Sequence, residues 1–370
     1  MSTQHVESLV IGAGQAGLSV AYHLRRLGRP ALVVDSSARV GDNWRAQWDS
    51  LRLFTPAKYD GLPGLKFPAD RWSFPGKEQV ADYLESYAAH FDLPVRMSTR
   101  VDSLVEQPDG GYVAALGDDT ITCDNVVVAT GTFGRTPSIP SFASDLDPSI
   151  LQMHSSEYRR PSQLQPGPVL VVGASHSGCD IAYELAEHRP TTLSGRDCGQ
   201  PPFRIESRVG RTIMPLFVFL ARHVITRRTP IGRKAMDELR SHGGPMLRVQ
   251  RKDLAARGVE RTESRVSAAR DGRPVLDDGR VLDVTNVVWC TGFRQIFESW
   301  IPAAVIKDDG WPAEYRGVVE SAPGLFFCGL AFQYAFSSMV FPGIGRDAAH
   351  VASQIARRVR TGATAQTQAA

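Results

Sequence analysis

The chain has 370 residues, of which 42% are hydrophobic and 22% charged, and its net charge is +3. That length holds two or three cored domains, and so mild a basic excess does not mark a nucleic-acid binder. The start of the chain carries no basic stretch, apolar run and small-residue cleavage site, and the apolar run at residues 213–221 is broken by Pro215. A bilayer span needs roughly 20 residues, so a cytoplasmic protein with no integral membrane segment is expected.

In chain order, the apolar run Ser8–Ile11 reads as a buried strand entering the turn Gly12-Ala-Gly14-Gln15-Ala16-Gly17. Leu18, Ala21, Tyr22 and Leu24 then recur at helical spacing, and Ala31–Asp35 reads as a second strand. Strands at 111–116 and 120–123 are followed by Asn125-Val-Val-Val-Ala-Thr130-Gly131. The pattern then repeats. Val169-Leu-Val-Val-Gly173-Ala-Ser175-His176-Ser177-Gly178 matches the first turn, with Gly173 falling on Gly12 and Gly178 on Gly17. Ala182, Tyr183 and Leu185 fall on Ala21, Tyr22 and Leu24 at the same offset. Asn286-Val-Val-Trp-Cys-Thr291-Gly292 falls on 125–131, again with the offset unchanged. Three separated blocks at one offset indicate two copies of one α/β unit. A third apolar strand, Gly324–Gly329, has no such mate and is followed by a helix from about Arg346 to Arg358. The expected architecture is α/β, with two Rossmann-type dinucleotide-binding domains, the second inserted into the first. The expected boundaries are 1–165, 166–290 and 291–370. The last dozen residues, rich in Ala, Thr, Gln and Gly, read as disordered.

Strand, Gly-x-Gly-x-x-Gly turn, helix and a strand ending in an acid form the dinucleotide fingerprint. Gly12 permits the tight turn, Gly14 lets the backbone approach a pyrophosphate, and Gly17 lets helix and strand pack. The helix N-terminus offers free N–H groups to phosphate, and Asp35 suits a ribose hydroxyl, so the first copy is expected to bind FAD. In the second copy Ser175 replaces the middle glycine. The offset that carries Gly12 to Gly173 carries Asp35 to Arg196, whose guanidinium suits a 2′-phosphate and predicts NADPH. His176 reads as a neighbour of that cofactor's pyrophosphate.

The five cysteines (Cys123, Cys179, Cys198, Cys290 and Cys328) contain no CxxC or similar spacing. Neither a metal site nor a local redox disulfide is expected. The segment from Arg204 to Lys234 mixes apolar residues with arginines. It reads as a solvated face with a buried side, with a substrate lid or a lipid-touching helix as alternatives.

These motifs resemble the flavin-containing monooxygenases and related bacterial NAD(P)/FAD-dependent oxidoreductases, with the plant indole-pyruvate monooxygenases as relatives. The resemblance rests on the two Gly-rich turns, Gly41-Asp-Asn-Trp44-Arg45, Leu51-Arg-Leu-Phe54-Thr-Pro56, residues 129–140, His154-Ser-Ser-Glu-Tyr158-Arg159 and Trp289-Cys-Thr-Gly-Phe293. It implies an enzyme that takes hydride from NADPH and, through a flavin hydroperoxide, transfers one oxygen of O2 to a nitrogen, a sulfur or an oxo acid. His154 and Tyr158 match half of the family fingerprint and are the catalytic candidates; a linker role for His154 is the alternative. Pro148 and Ile150 stand where the family has Phe and Gly, and Phe54 where the animal enzymes have Asn. The full set of expected cofactor contacts is Gly12, Gly14, Gln15, Ala16, Gly17, Asp35, Ser36, Trp44, Arg45, Val101, Thr130, Gly131, Gly173, Ser175, His176, Ser177, Gly178, Arg196, Thr291, Gly292 and Gly329. Trp44, Tyr334, Phe336 and Met339 are expected to wall the flavin or substrate, or simply to fill core. The expected partners are a small substrate and O2, with a homo-oligomer as a further expectation. A disulfide reductase of the same fold would need two adjacent cysteines. An electron-transfer reductase or a flavin redox sensor would share every motif.

Overall fold

The computed structural model describes the backbone of residues 2–108, 110–131, 136–241 and 243–369, with side chains to Arg358 except that of Ser241. Strand β1 (Thr3–Ile11) leads into helix α1 (Gln15–Arg26) and strand β2 (Ala31–Val34). Helices α2 (Asp42–Arg45) and α3 (Lys77–His90) precede β3 (Val95–Arg96), β4 (Ser103–Glu106), β5 (Tyr112–Leu116) and β6 (Asp119–Val128). Next come β7 (Thr136–Pro137), β8 (Leu151–His154), β9 (Val169–Val172), helix α4 (His176–Leu185) and β10 (Thr191–Ser194). Helices α5 (Arg208–His223), α6 (Pro230–Ser241) and α7 (Arg251–Ala256) follow. The chain continues through β11 (Glu260–Thr262), β12 (Val266–Arg270), β13 (Arg273–Leu276), β14 (Asn286–Trp289), β15 (Phe293–Arg294) and β16 (Leu325–Phe327) to helix α8 (Phe341–Ala369).

The first sheet has the order β3-β2-β1-β6-β5-β4. Its centre is parallel, and β4 and β5 add an antiparallel edge. The ten-residue β6 pairs with β1 along one edge and divides the other: Asp119–Cys123 pairs with β5, and Val126–Val128 pairs with β16. That last pairing returns the chain to the first sheet after the second is complete. Helix α1 buries Leu18, Ala21, Tyr22 and Leu24, and these share one core with Ile344, Ala348, Val351 and Ile355 of α8. Helix α8 begins earlier than the sequence pattern suggested, at Phe341 and not near Arg346. Pro342 lies in its first turn, where a missing N–H leaves no helical bond unmade. The expected disordered tail falls on residues 359–370, outside the described side chains.

The second sheet, β11-β10-β9-β14-β8, is parallel throughout. Every residue of β9 and β14 is buried, as expected for strands covered on both faces. The internal repeat is visible in the register: Ser8 pairs with Asn125 in the first sheet, and Val169 with Asn286 in the second. One expectation is corrected here. Strand β8 belongs to the second sheet, pairing Leu151–His154 with Asn286–Trp289. The second unit therefore begins near residue 151, before the expected boundary at 166. The antiparallel pair β7–β15 links the strand leaving the first sheet with the strand leaving the second.

Candidate nucleotide sites

At the first turn, β1 delivers Gly12 with φ +112°, where a Cβ would lie 2.5 Å from Ala129 O. A Cβ on Gly17 would lie 1.9 Å from Gly12 O, so helix and strand touch backbone to backbone. Gly14 differs in kind. Its φ of −78° suits any residue, and a Cβ there would meet nothing within 4 Å. The first and third glycines are needed by the fold, whereas the space at Gly14 remains open for something else. A cleft opens there, lined by Ala13, Gly14, Asp35, Arg39, Asn43 and Trp44 among others. The carboxylate of Asp35 accepts from Ala13 N (2.7 Å) and Ser37 N (2.8 Å), which fixes both walls and leaves lone pairs for a ribose hydroxyl. The Trp44 indole nitrogen and the Thr130 hydroxyl are buried with no hydrogen-bond partner among the described residues. Such groups are costly unless a ligand completes them. Gly329 packs on the start of α1, where its Cβ would lie 2.8 Å from that of Ala16, and Gly131 also needs a positive φ. Gln15 begins α1, Ser36 is exposed beside Asp35, and Val101 is buried in the neighbouring core. Arg45 is not part of this cleft. Its guanidinium lies within ion-pair reach of Asp42, Glu78, Asp82 and Glu85, and so clamps α2 to α3.

The second turn repeats this geometry. Gly173 has φ +109°, and a Cβ on Gly178 would lie 1.7 Å from Gly173 O. Gly12 N donates to Val34 O and Gly173 N to Ser194 O, each at 2.7 Å. Val34 therefore corresponds to Ser194, and the second copy is one position shorter here than the offset between the glycine turns. The residue equivalent to Asp35 is Gly195, and Arg196 corresponds to Ser36. The expectation that Arg196 replaces the acid is corrected: a glycine replaces it, and exposed Arg196 follows. The consequence for charge is unchanged, since a carboxylate is lost and a cation gained. Ser175 already has a partner in this structure. Its hydroxyl donates to Gly244 O at 2.9 Å, so the segment after α6 lies across the turn. His176 stacks on Phe54 (5.4 Å between centroids, 23° between planes). Burial lowers its pKa to about 4, and its Nε2 has no partner among the described residues. It is a neutral ring at the head of α4, where Ser177 also lies. Thr291 donates to Ser138 O, and Gly292 has φ +77°.

His154 and Tyr158 do not line the first cleft. Both are completely buried. Ser156 N donates to His154 Nδ1 at 3.2 Å, so the imidazole proton is on Nε2, which donates to Gly292 O at 3.0 Å. Burial lowers the His154 pKa and holds the ring neutral. Tyr158 donates to Glu184 on α4 at 2.7 Å, and burial raises its pKa. The geometry does not support the catalytic assignment: His154 ties the end of β8 to the loop after β14, Tyr158 ties the segment after β8 to α4, and both side chains are closed to solvent.

A residue with no sequence signal emerges instead. Asp60 is fully buried, accepts a 2.5 Å hydrogen bond from Thr55, and leaves its second oxygen without a partner among the described residues. Burial pushes its pKa up to about 8. A short acid inside an otherwise turn-like Tyr-Asp-Gly stretch gives no warning of this; only the packing around Thr55 does. All five cysteines are free, and burial raises every thiol pKa, with Cys123 and Cys179 at about 12. None is poised as a thiolate.

Two glycine turns of this geometry, each between a parallel strand and a helix, have the form of dinucleotide-binding turns. The sequence pattern of the pyridine nucleotide-disulphide oxidoreductases matches residues 9–208. An uncharacterized CzcO-like oxidoreductase of Geobacillus kaustophilus is 37% identical over 95% of this chain and 99% of its own. The probable indole-3-pyruvate monooxygenase YUCCA3 of Arabidopsis thaliana is 28% identical, over 95% of this chain and 86% of its own. Among solved structures, the flavin-containing monooxygenase from Stenotrophomonas maltophilia shares the fold at TM-score 0.75 and 23% identity, over 96% and 99% of the two chains. The chain belongs to the pyridine nucleotide-disulphide oxidoreductase family, within its flavin-monooxygenase group beside the CzcO-like oxidoreductases.

Proposed function

We propose that this enzyme binds FAD at the first turn and NADPH at the second, and uses O2 to oxygenate a small amine, thioether or oxo acid. The observation that carries the reading is the contrast between the two strand ends. Asp35 suits an unphosphorylated ribose, whereas Gly195 followed by Arg196 removes the repelling carboxylate and supplies a cation for a 2′-phosphate. FAD fits the first cleft: the Gly14 backbone would approach its pyrophosphate, and Trp44 Nε1 and Thr130 Oγ1 would find the partners they lack. At the second turn the cofactor's phosphate would take the place of Gly244 O at Ser175.

Bound flavin would supply the redox chemistry, accepting hydride and reacting with O2. The residues of the chain bind, orient and exclude water. Phe54 and His176 stack where the first unit meets the head of α4, an apolar, uncharged partition that limits water between the two sites. The raised pKa of all five thiols disfavours a dithiol reductase. The indole-3-pyruvate named for the plant relatives, and the S-allyl-L-cysteine named for an Allium sativum oxygenase of similar fold, both lie within the proposed substrate classes.

The test is cofactor preference. The purified protein should release FAD on denaturation, and its flavin should be reduced at lower concentrations of NADPH than of NADH. Arg196→Ala should weaken NADPH on the order of tenfold, the worth of one charge-assisted phosphate contact, and leave NADH unchanged. Equal losses for both cofactors would overturn the assignment.

A further inference from the structure

We propose that the outward face of α5, with the start of α6, is a docking surface for an anionic lipid bilayer. Residues 207–236 contain seven basic residues and no acid. Helix α5 is held to the protein by Gly210, Met214, Val218 and Ala221, spaced along one face and buried. Its packing therefore does not need Val209, Leu216 and Phe219, yet each of these is more than half exposed. They are spaced seven and three positions apart, which at about 3.6 residues per turn sets them along the opposite side. Ile231, at the start of α6, is also more than half exposed. Gly232 holds that start against the end of α5, since a Cβ there would lie 1.9 Å from Thr226 O.

The charges around this strip face solvent. Arg208, Arg211, Arg233 and Lys234 are exposed and form no ion pair among the described residues. An apolar strip rimmed by cations suits a surface with an oily interior and negative headgroups. A second copy of this chain suits it poorly, because two such faces would bring like charges together. No helix among the described residues is long and apolar enough to cross a membrane, so α5 would lie in the interface with its arginines reaching the headgroups.

Flotation of the purified, flavin-loaded protein with vesicles tests this. Vesicles of equal parts phosphatidylglycerol and phosphatidylcholine should carry the protein upward, and phosphatidylcholine alone should not. Added salt should weaken the association. Arg208→Gln and Arg211→Gln should each lower partitioning about fivefold, the worth of one surface charge. Leu216→Glu with Phe219→Glu should abolish flotation while flavin content and NADPH oxidation stay normal. Leu216→Ser with Phe219→Ser gives the same reading if the acidic pair folds poorly. Three results would overturn the proposal: no flotation with either vesicle, flotation that ignores these substitutions, or a dimer that the Leu216 and Phe219 variants turn into a monomer.

Discussion

Three glycines in one turn have two different jobs, and substitution separates them. At Gly17 an added methyl meets backbone, so Gly17→Ala should destabilise the apoprotein by about 1–3 kcal/mol or more. At Gly14 the methyl meets only the open cleft. Gly14→Ala should leave apoprotein stability within about 1 kcal/mol of wild type yet lower its flavin content sharply. Thermal unfolding of both apoproteins, with flavin absorbance of the holoproteins, checks the pair; equal destabilisation would show that Gly14 serves the fold alone. Asp60 makes a prediction of a different sign from most carboxylates. Its folded pKa of about 8 lies above the ordinary 3.8, so the folded protein binds the extra proton between those values. Its contribution to stability is complete below about pH 4 and is lost as pH rises towards 8, at up to roughly 1.4 kcal/mol per pH unit. Asp60→Asn keeps a neutral hydrogen-bonding group there and should flatten that slope in denaturant titrations. An unchanged slope would mean that Asp60 ionises normally.

At the scale of elements, the strands and turns that bind nucleotide were legible in the sequence because their constraints are local. An all-apolar strand, glycines where backbone touches backbone, and a helix with one apolar face all leave a mark within a few residues. What lay hidden depended on register or on burial. The shortening of the second copy before β10 had one faint signal: Pro30 and Pro190, each just before its strand, already keep the shorter spacing that pairs Val34 with Ser194. Strand β8 was missed because Leu-Gln-Met-His carries little strand pattern of its own and pairs only through its partner, β14. His154 and Tyr158 are catalytic candidates through half a family fingerprint, and a fingerprint carries no information on exposure. As a brace, their loss should act on stability. Tyr158→Phe removes one hydrogen bond to Glu184 and should cost about 1 kcal/mol, with flavin content and the NADPH KM unchanged. A lowered kcat in a fully folded Tyr158→Phe protein would restore a catalytic role.

For the whole molecule, the topology places a second parallel sheet between β6 and β16 of the first, so the two glycine turns come from separate units joined by the β7–β15 pair. Phe54, from the first unit, stacks on His176 at the head of α4 in the second, so the two units meet beside the second glycine turn. In the proposed function, reducing equivalents pass from NADPH to flavin and then to oxygen. The measurement that tests this most directly is the fate of labelled oxygen. The flavin-loaded protein is supplied with NADPH and 18O2 and offered an amine, a thioether and a 2-oxo acid in turn; NADPH consumed, peroxide released and label in the product are counted together. Oxygen transfer predicts one labelled oxygen atom in the product per NADPH for at least one of these classes, with peroxide falling as product rises. NADPH equivalents appearing wholly as peroxide with every class, or no oxidation of NADPH at all, would contradict it.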